Sequence, residues 1–159
     1  CDPIFRCVES LKTPDSTVIL VTPDGKTYNQ KIAKELKLKK HLIIICGHYE
    51  GFDERIRTLA DLEISIGDYI LTGGELAACV ITDSVVRLLS GAINEESLNS
   101  ESFEDNLLDY PTYTKPAVYQ DMAVPPVLLS GDHQKIAKWR EEMRIKKTQE
   151  RRPDLLERR

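Results

Sequence analysis

Three short segments combine glycine with polar residues, and each lies at the end of a run typical of a buried strand. They are 22–25 (TPDG), 47–51 (GHYEG) and 66–74 (IGDYILTGG). In open parallel sheets, ligands bind at the carboxyl ends of strands, and glycine lets a ligand reach backbone amides and carbonyls. We therefore predict a binding site where these segments meet, although ordinary tight turns also require glycine.

The kind of ligand is indicated by what these segments lack. None of them contains a Walker A sequence or the G-x-G-x-x-G pattern that holds a pyrophosphate. A ligand recognised through adenine edges and backbone contacts, beside a hydrophobic wall, fits better than one held by its phosphates.

Charged side chains supply candidates for catalysis and phosphate binding. His48 could act as a general base, or it could be an exposed loop histidine. Arg87 could place a cation at the mouth of the site, or it could form a plain i,i+4 ion pair with Asp83. His133 could contact phosphate, or it could simply lie near the start of a helix.

The composition indicates a globular protein. The chain has 159 residues, of which 41% are hydrophobic and 30% charged, so a disordered chain is excluded. No apolar run approaches the roughly 20 residues that cross a bilayer. The four cysteines form no C-x-x-C pair, which argues against a zinc site and favours a reduced, cytoplasmic protein. Because no Met or signal peptide opens the chain, we interpret it as a piece of a longer polypeptide.

Charge is distributed unevenly along the chain. The formal net charge is -4, yet residues 134–159 carry 10 basic and 5 acidic side chains. A basic C-terminal end on an acidic body predicts a local anionic partner such as RNA or DNA, although a solvated helix face would show the same pattern.

The hydrophobic pattern alternates between two periods, which predicts an α/β fold with a mostly parallel sheet. Strands are expected over 16–21, 42–46 and 64–71, and helices over 3–12, 26–39, 53–60 and 75–89. Residues 91–119 lack sustained periodicity and are interpreted as a linker. A helix starting near Asp132 is expected to bury Ile136, Trp139 and Met143, and Pro153 is expected to end it.

Four longer motifs point to one protein family. They are 46–55 (CGHYEGFDER), 64–76 (ISIGDYILTGGEL), 109–116 (DYPTYTKP) and 124–133 (VPPVLLSGDH). In this order, and over nearly the whole chain, they resemble the bacterial tRNA (guanine-N(1)-)-methyltransferase family, TrmD, of the SPOUT superfamily.

The resemblance implies a fold and an activity. The parallel sheet would carry a deep C-terminal trefoil knot, followed by a small helical C-terminal domain. The chain would comprise a knotted domain that binds the methyl donor (1–91), a linker that carries the catalytic acid (92–119) and a helical, basic domain that binds tRNA (120–159). A homodimer would transfer a methyl group from S-adenosylmethionine to N1 of the guanine immediately 3′ of the anticodon. A magnesium requirement is implied, without an assigned ligand.

The resemblance also implies site residues. The donor pocket would be lined by Thr22, Gly47, Tyr49, Glu50, Ile66, Gly67, Asp68, Tyr69, Ile70, Leu71, Gly73 and Gly74. Catalysis would use Arg87 and Glu101. Basic residues of the C-terminal part would bind RNA phosphates: His133, Lys138, Arg140, Arg144, Lys146, Lys147, Arg151 and Arg152.

Two departures from the family pattern leave alternatives open. The family usually has Asp before the Ser-Phe pair that is Ser102-Phe103 here, whereas this chain has Glu101. The strand, helix and Gly-rich loop that open the family are absent before Asp2. Another SPOUT RNA methyltransferase, or a catalytically inactive RNA-binding protein, are the alternative interpretations.

Overall fold

The computed structural model describes residues 1–49, 51–93 and 101–158. These residues belong to two compact units, which divide between residues 94 and 95. Residues 101–119 of the predicted linker lie in the second unit. The predicted domain boundaries at 91 and 119 stay predictions.

The first unit alternates helices and strands, as the hydrophobic pattern predicted. Its elements are α1 (Asp2–Leu11), β1 (Ser16–Thr27), α2 (Gln30–Lys37), β2 (His41–Ile45), a 3-10 helix (Glu54–Leu59), β3 (Leu62–Ser65) and α3 (Glu75–Val86). Within the described residues the sheet has three strands in the order β2-β1-β3, and both pairings are parallel. The predicted parallel α/β architecture is therefore confirmed, whereas the trefoil knot stays a prediction.

Both faces of this sheet are buried, since Val18 and Leu20 on one face and Ile19 on the other are fully buried. Alternate residues of β1 and β2, such as Val18, Leu20 and Ile43, form one buried cluster with Val8 of α1 and Ile56 of the 3-10 helix. Alternation arises because successive strand side chains point to opposite faces. Helices α2 and α3 pack against each other. Because both pairings are parallel, the carboxyl ends of the three strands lie at one edge of the sheet.

β1 is longer than the sequence predicted. Val21 and Lys26 are both paired with Ile64, so residues 22–25 bulge out of the strand before pairing resumes. The turn that was predicted at 22–25 corresponds to this bulge. The helix that was predicted from Lys26 was wrong, because β1 extends to Thr27. α2 begins only at Gln30, where the side chain of Asn29 accepts a hydrogen bond from the Ile32 amide at 3.1 Å.

Gly25 is required where this bulge returns to the sheet. A Cβ atom at this position would lie 2.6 Å from the carbonyl carbon of Glu63 and closer still to the Ile64 amide nitrogen. We expect Gly25→Ala to lower the free energy of unfolding by about 1–3 kcal/mol, because β1 and β3 must move apart. Urea unfolding of the two proteins measures this difference. A loss below about 0.5 kcal/mol would show that the strands tolerate the methyl group.

β3 is shorter than predicted. It ends at Ser65, and the segment 66–71 that was expected to continue it is a loop. Gly67 has a φ of +147°, and the side chains of Tyr69 and Ile70 are 55% and 80% exposed. The apolar run therefore belongs to a loop at the strand end and not to the buried sheet.

The second unit contains a hairpin and three helical segments among its described residues. They are β4 (Val118–Tyr119), β5 (Met122–Ala123), α4 (Pro126–Leu129), α5 (His133–Arg151) and a second 3-10 helix (Pro153–Arg158). The sequence analysis missed the hairpin, whose turn residues Gln120 and Asp121 both have positive φ. The end of α5 before Pro153 is as predicted.

The buried side of α5 differs from the prediction. Ile136, Trp139 and Met143 are only half-buried, whereas Arg144 and Thr148 are the buried residues of this helix. The helix therefore packs through polar side chains, whose partners lie in residues 103–110. In the part of the chain that the structure describes, no helix has the length and apolar character needed to cross a membrane.

Candidate functional site

A cavity of about 510 Å³ lies at the carboxyl ends of the three strands. The bulge of β1 contributes Thr22 and Asp24, and the segment after β2 contributes Gly47 and His48. The end of β3 and the loop after it contribute residues 65–67 and 69–74. The three glycine-bearing segments of the sequence thus meet around one space. Its volume lies within the ~300–1,000 Å³ that is usual for small-molecule sites.

Ten of the twelve residues that were predicted for the donor pocket line this cavity. They are Thr22, Gly47, Tyr49, Ile66, Gly67, Tyr69, Ile70, Leu71, Gly73 and Gly74. Asp68 does not belong to the lining residues, although both its neighbours come from the same loop. Glu50 lies outside the described residues.

The cavity also has lining residues that the sequence analysis did not assign. Phe52 adds an aromatic ring and Ala77 an apolar surface, while Asp24 and Arg57 add charge. Asp24 and Phe52 belong to motifs that had been recognised. Arg57 lies two residues after the motif at 46–55 and carried no signal of its own.

The backbone joins two of the three segments directly. His48 and Gly73 form an isolated antiparallel bridge, and the amide of Gly74 donates to the carbonyl of Gly47 at 2.9 Å. A Cβ atom on Gly74 would lie 3.0 Å from the Cα atom of Cys46, so glycine permits this close approach. Backbone hydrogen bonds therefore join the segment after β2 to the loop after β3.

His48 contributes to the same junction through its side chain. Its Nε2 atom hydrogen bonds to Glu75, the first residue of α3, and its side chain is 55% exposed. The ring therefore joins the loop after β2 to the start of α3. This contact favours the interpretation of His48 as an exposed loop histidine over that of a general base.

Arg57 connects three elements around the cavity. Its guanidinium group binds Asp24 on the bulge of β1 and Glu63 on β3, and its Nε atom lies 3.0 Å from Glu54 on the 3-10 helix. The hydrogen bond with Asp24 is the main reason why the pKa of Arg57 is raised, with that of Glu54 next. One cation thus holds three carboxylates in place at the wall of the cavity.

Two carboxyl groups close to these loops have lowered pKa values. Glu75 has a pKa below its usual 4.5, mainly because its own backbone amide donates to it and also because His48 does. Hydrogen bonds from Arg55 hold the pKa of Asp53 well below its usual 3.8. Both groups therefore stay ionised in the folded protein at pH values where the unfolded chain is protonated.

These shifts predict lower stability in acid. Because the folded pKa values are depressed, the unfolded state binds more protons as the pH falls, and the contribution of both groups to stability is lost. We expect the urea midpoint to fall steadily from about pH 5 to about pH 3. The double variant with Glu75→Gln and Asp53→Asn should show a shallower fall. An unchanged slope in that variant would assign the acid sensitivity to other groups.

The two predicted catalytic residues lie in different units. Arg87 directly follows α3, is half-buried, and donates its amide to the carbonyl of Asp83 at 3.1 Å. Glu101 is half-buried in the second unit, just before Ser102, whose hydroxyl accepts a hydrogen bond from the Asp109 amide at 2.9 Å. Their catalytic roles stay predictions.

The predicted RNA-binding residues divide into two groups. Exposed side chains belong to His133, Lys138, Arg140, Lys146 and Arg151. Lys147 donates to the carbonyl of Asp109 at 3.0 Å, and Arg152 binds Asp154 at 2.8 Å.

Arg144 belongs to neither group, and its predicted RNA-binding role stays a prediction. Its side chain is only 11% exposed and binds the carboxylates of Asp105 and Glu141 at 2.6 and 3.1 Å. Its guanidinium group is thus occupied within the protein.

No metal site is indicated among the residues that the structure describes. No group of three or more His, Cys, Asp or Glu side chains there could hold a metal ion. No magnesium ligand is therefore assigned.

Comparison with known proteins agrees with the geometry of the site. The model of the family described as tRNA (Guanine-1)-methyltransferase TrmD matches residues 1–158. The chain belongs to the TrmD family. This assignment was expected from the four motifs of the sequence, and it covers both compact units.

Individual relatives in the family are similar along nearly the whole chain. The tRNA (guanine-N(1)-)-methyltransferase of Malacoplasma penetrans is 59% identical over 153 residues, which are 96% of this chain and 68% of the relative. Proteins of the same name from Dictyoglomus turgidum and Chloroflexus aggregans are 55% and 56% identical over 98% and 97% of this chain. The chain spans 64% and 61% of their lengths, so it corresponds to about two thirds of these curated relatives.

Proposed function

We propose that the protein transfers a methyl group from S-adenosylmethionine to N1 of the guanine immediately 3′ of the tRNA anticodon. The observation that carries this proposal is the cavity at the carboxyl ends of the strands. Ten residues that the family resemblance assigns to the methyl donor line this one space. The relatives named above are tRNA (guanine-N(1)-)-methyltransferases and share this part of the chain.

The residues around the cavity fit an adenosine-containing sulfonium compound. Phe52, Tyr69 and Leu71 provide an apolar wall for a purine ring, and the glycine-bearing loops offer backbone groups to its edge. Gly47 and Gly67 keep space open, since a Cβ atom on either would overlap a neighbouring aromatic ring at 2.7 Å or less. When bound, S-adenosylmethionine supplies an electrophilic methyl group.

The chain must supply the acid–base chemistry. N1 of guanine carries a proton at neutral pH, so a base has to remove this proton before N1 can act as a nucleophile. We assign that role to the carboxylate of Glu101. Arg87 is assigned to O6 of the guanine, where a cation stabilises the negative charge that builds as the proton leaves.

Two surfaces support the proposed partners. The exposed basic residues of α5, such as Lys138 and Lys146, suit the phosphates of tRNA. On α3, the side chains of Leu76, Val80 and Val86 are 66%, 48% and 48% exposed, which supports a homodimer in which a second copy covers them. We place the protein in the cytoplasm, where tRNA is modified.

A methylation assay tests the proposed function directly. The full-length protein is incubated with labelled S-adenosylmethionine and either of two tRNAs, which carry guanine or adenine immediately after the anticodon. Methyl transfer to the first tRNA alone is expected. Transfer to both tRNAs would indicate another SPOUT methyltransferase, and tRNA binding without transfer would indicate an inactive RNA-binding protein.

Arg57 provides a prediction for donor affinity. Arg57→Met leaves three carboxylates without their common cation, so the bulge with Asp24 should lose its fixed position at the cavity wall. We expect the Kd for S-adenosylmethionine to rise about tenfold, which corresponds to about 1.4 kcal/mol. Isothermal titration calorimetry measures this change.

Arg55→Met is the matched control for this experiment. Arg55 binds only Asp53 among the contacts that the structure gives for its guanidinium, is 74% exposed and does not line the cavity. Its removal should leave the Kd within about twofold of wild type, as is usual for an exposed ion pair. Equal effects of the two substitutions would refute a specific role of Arg57.

A further inference from the structure

A face of α5 is occupied by the chain's own residues 103–110. Four of its side chains, spaced along successive turns, contact this segment: Arg140 at Tyr110, Arg144 at Asp105, Lys147 at Asp109 and Thr148 at Leu108. Residues three, four or eight apart lie on the same side of a helix. The segment therefore runs along α5 and is attached to it at several points.

The contact between Arg144 and Asp105 is the ion pair in this set. The guanidinium group of Arg144 is 2.6 Å from Asp105 and 3.1 Å from Glu141, and its side chain is 11% exposed. Glu141 belongs to α5 itself, so its ion pair with Arg144 cannot attach the segment 103–110 to the helix. Asp105 belongs to the segment, so its ion pair with Arg144 fixes the segment to the helix.

Hydrogen bonds from two backbone amides close the segment into a loop. The amide of Phe103 donates to the carbonyl of Leu107 at 2.8 Å, and the amide of Asp109 donates to Ser102 at 2.9 Å. Leu107, within this loop, is 1% exposed. Both hydrogen bonds span Asp105, so they hold together the parts of the segment on either side of it.

Glu101 directly precedes this closed loop. It lies next to Ser102 and four residues before Asp105, so its position depends on where the loop is held. A base in methyl transfer must reach one proton of the substrate, and a misplacement of about 1 Å costs rate.

We propose that Arg144 is a positioning residue, which holds the loop of Glu101 on α5 through its ion pair with Asp105. The inference rests on the proposed function, because it assigns to Glu101 the role of the base. It replaces the expectation that Arg144 binds RNA phosphate.

Stability and activity should separate in two variants of this pair. Arg144→Met removes the buried charge, and the two carboxylates that it leaves, Asp105 and Glu141, are 50% and 56% exposed and can be hydrated. Asp105→Ala leaves the buried guanidinium without its partner in the loop, and this loss of a partner is usually destabilising. Both variants remove the same attachment, so both should impair the reaction, although only Asp105→Ala should lower the thermal midpoint clearly.

The experiment uses the full-length protein and measures kcat, the KM for S-adenosylmethionine and amide hydrogen exchange. In Arg144→Met and Asp105→Ala, we expect kcat to fall about tenfold or more while the KM for the donor stays within twofold. The double variant should be no slower than the slower single variant, because both changes remove one contact. Exchange at the amides of Phe103, Leu108 and Asp109 should accelerate.

Glu141→Gln is the matched control, because it removes the other carboxylate of Arg144 without touching the loop. It should leave both kcat and the exchange rates within about twofold of wild type. Unchanged exchange in Arg144→Met would refute the attachment, whether or not the wild type is active. Faster exchange with unchanged kcat would refute the positioning role.

An inactive wild type would refute the proposed function separately. Hydrogen exchange would then still decide whether Arg144 holds the loop.

Discussion

Glu101→Gln should abolish methyl transfer while S-adenosylmethionine still binds. The amide has the same shape as the carboxyl group but cannot accept the proton of guanine N1. A general base contributes about a hundredfold to ten-thousandfold, so kcat should fall by that factor. Single-turnover methylation of the tRNA with guanine after the anticodon measures the rate, and calorimetry measures the Kd of the donor.

Two further variants make this prediction specific. Glu104→Gln changes a neighbouring, half-buried glutamate to the same amide and should stay within about twofold of wild type. Glu101→Asp installs the acid that the family usually has and should keep substantial activity. Turnover by Glu101→Gln at the rate of the wild type would remove Glu101 from the mechanism.

Arg87→Ala should have the second largest effect, with a kcat that is about a hundredfold lower. Removing one group that stabilises a developing negative charge typically costs this much. The thermal midpoint should change by only a few degrees, because Arg87 is half-buried at the end of α3 and its backbone contact to Asp83 remains. Kinetics and thermal unfolding of the same preparation measure both quantities.

Asp83→Asn distinguishes catalysis from structure at this position. If Arg87 serves only an i,i+4 ion pair, Asp83→Asn should reproduce the effect of Arg87→Ala. If Arg87 acts on the substrate, the Asp83 variant should keep most of its activity. A loss of folded protein in Arg87→Ala, without a separate kinetic defect, would support the structural interpretation.

The fold was predictable where the signal was local. Runs such as 16–21 and 42–46 are rich in β-branched residues and became parallel strands, because burial on both faces favours continuous apolar runs. The bulge at 22–25 was recognised as a turn, but only pairing with Ile64 shows that the strand continues after it. Register with a distant strand is not encoded in a short window of sequence.

The same limit explains the errors around the site. The apolar residues 66–71 look like a strand, yet they form a cavity loop, and hydropathy cannot tell a buried sheet from a ligand wall. Arg57 and Arg144 are ordinary basic residues in the sequence. Their roles depend on carboxylates 33 and 39 positions away, Asp24 and Asp105, which only the folded chain brings near.

The central claim is that the glycine-bearing bulge of β1 and the loops after β2 and β3 form the site of the methyl donor. A crystal structure of the full-length protein grown with S-adenosylmethionine tests it most directly. We expect density for the donor within the cavity, in contact with all three loops, including Thr22, Gly47 and Gly73. Donor bound at another place on the protein, with these loops untouched, would contradict the account.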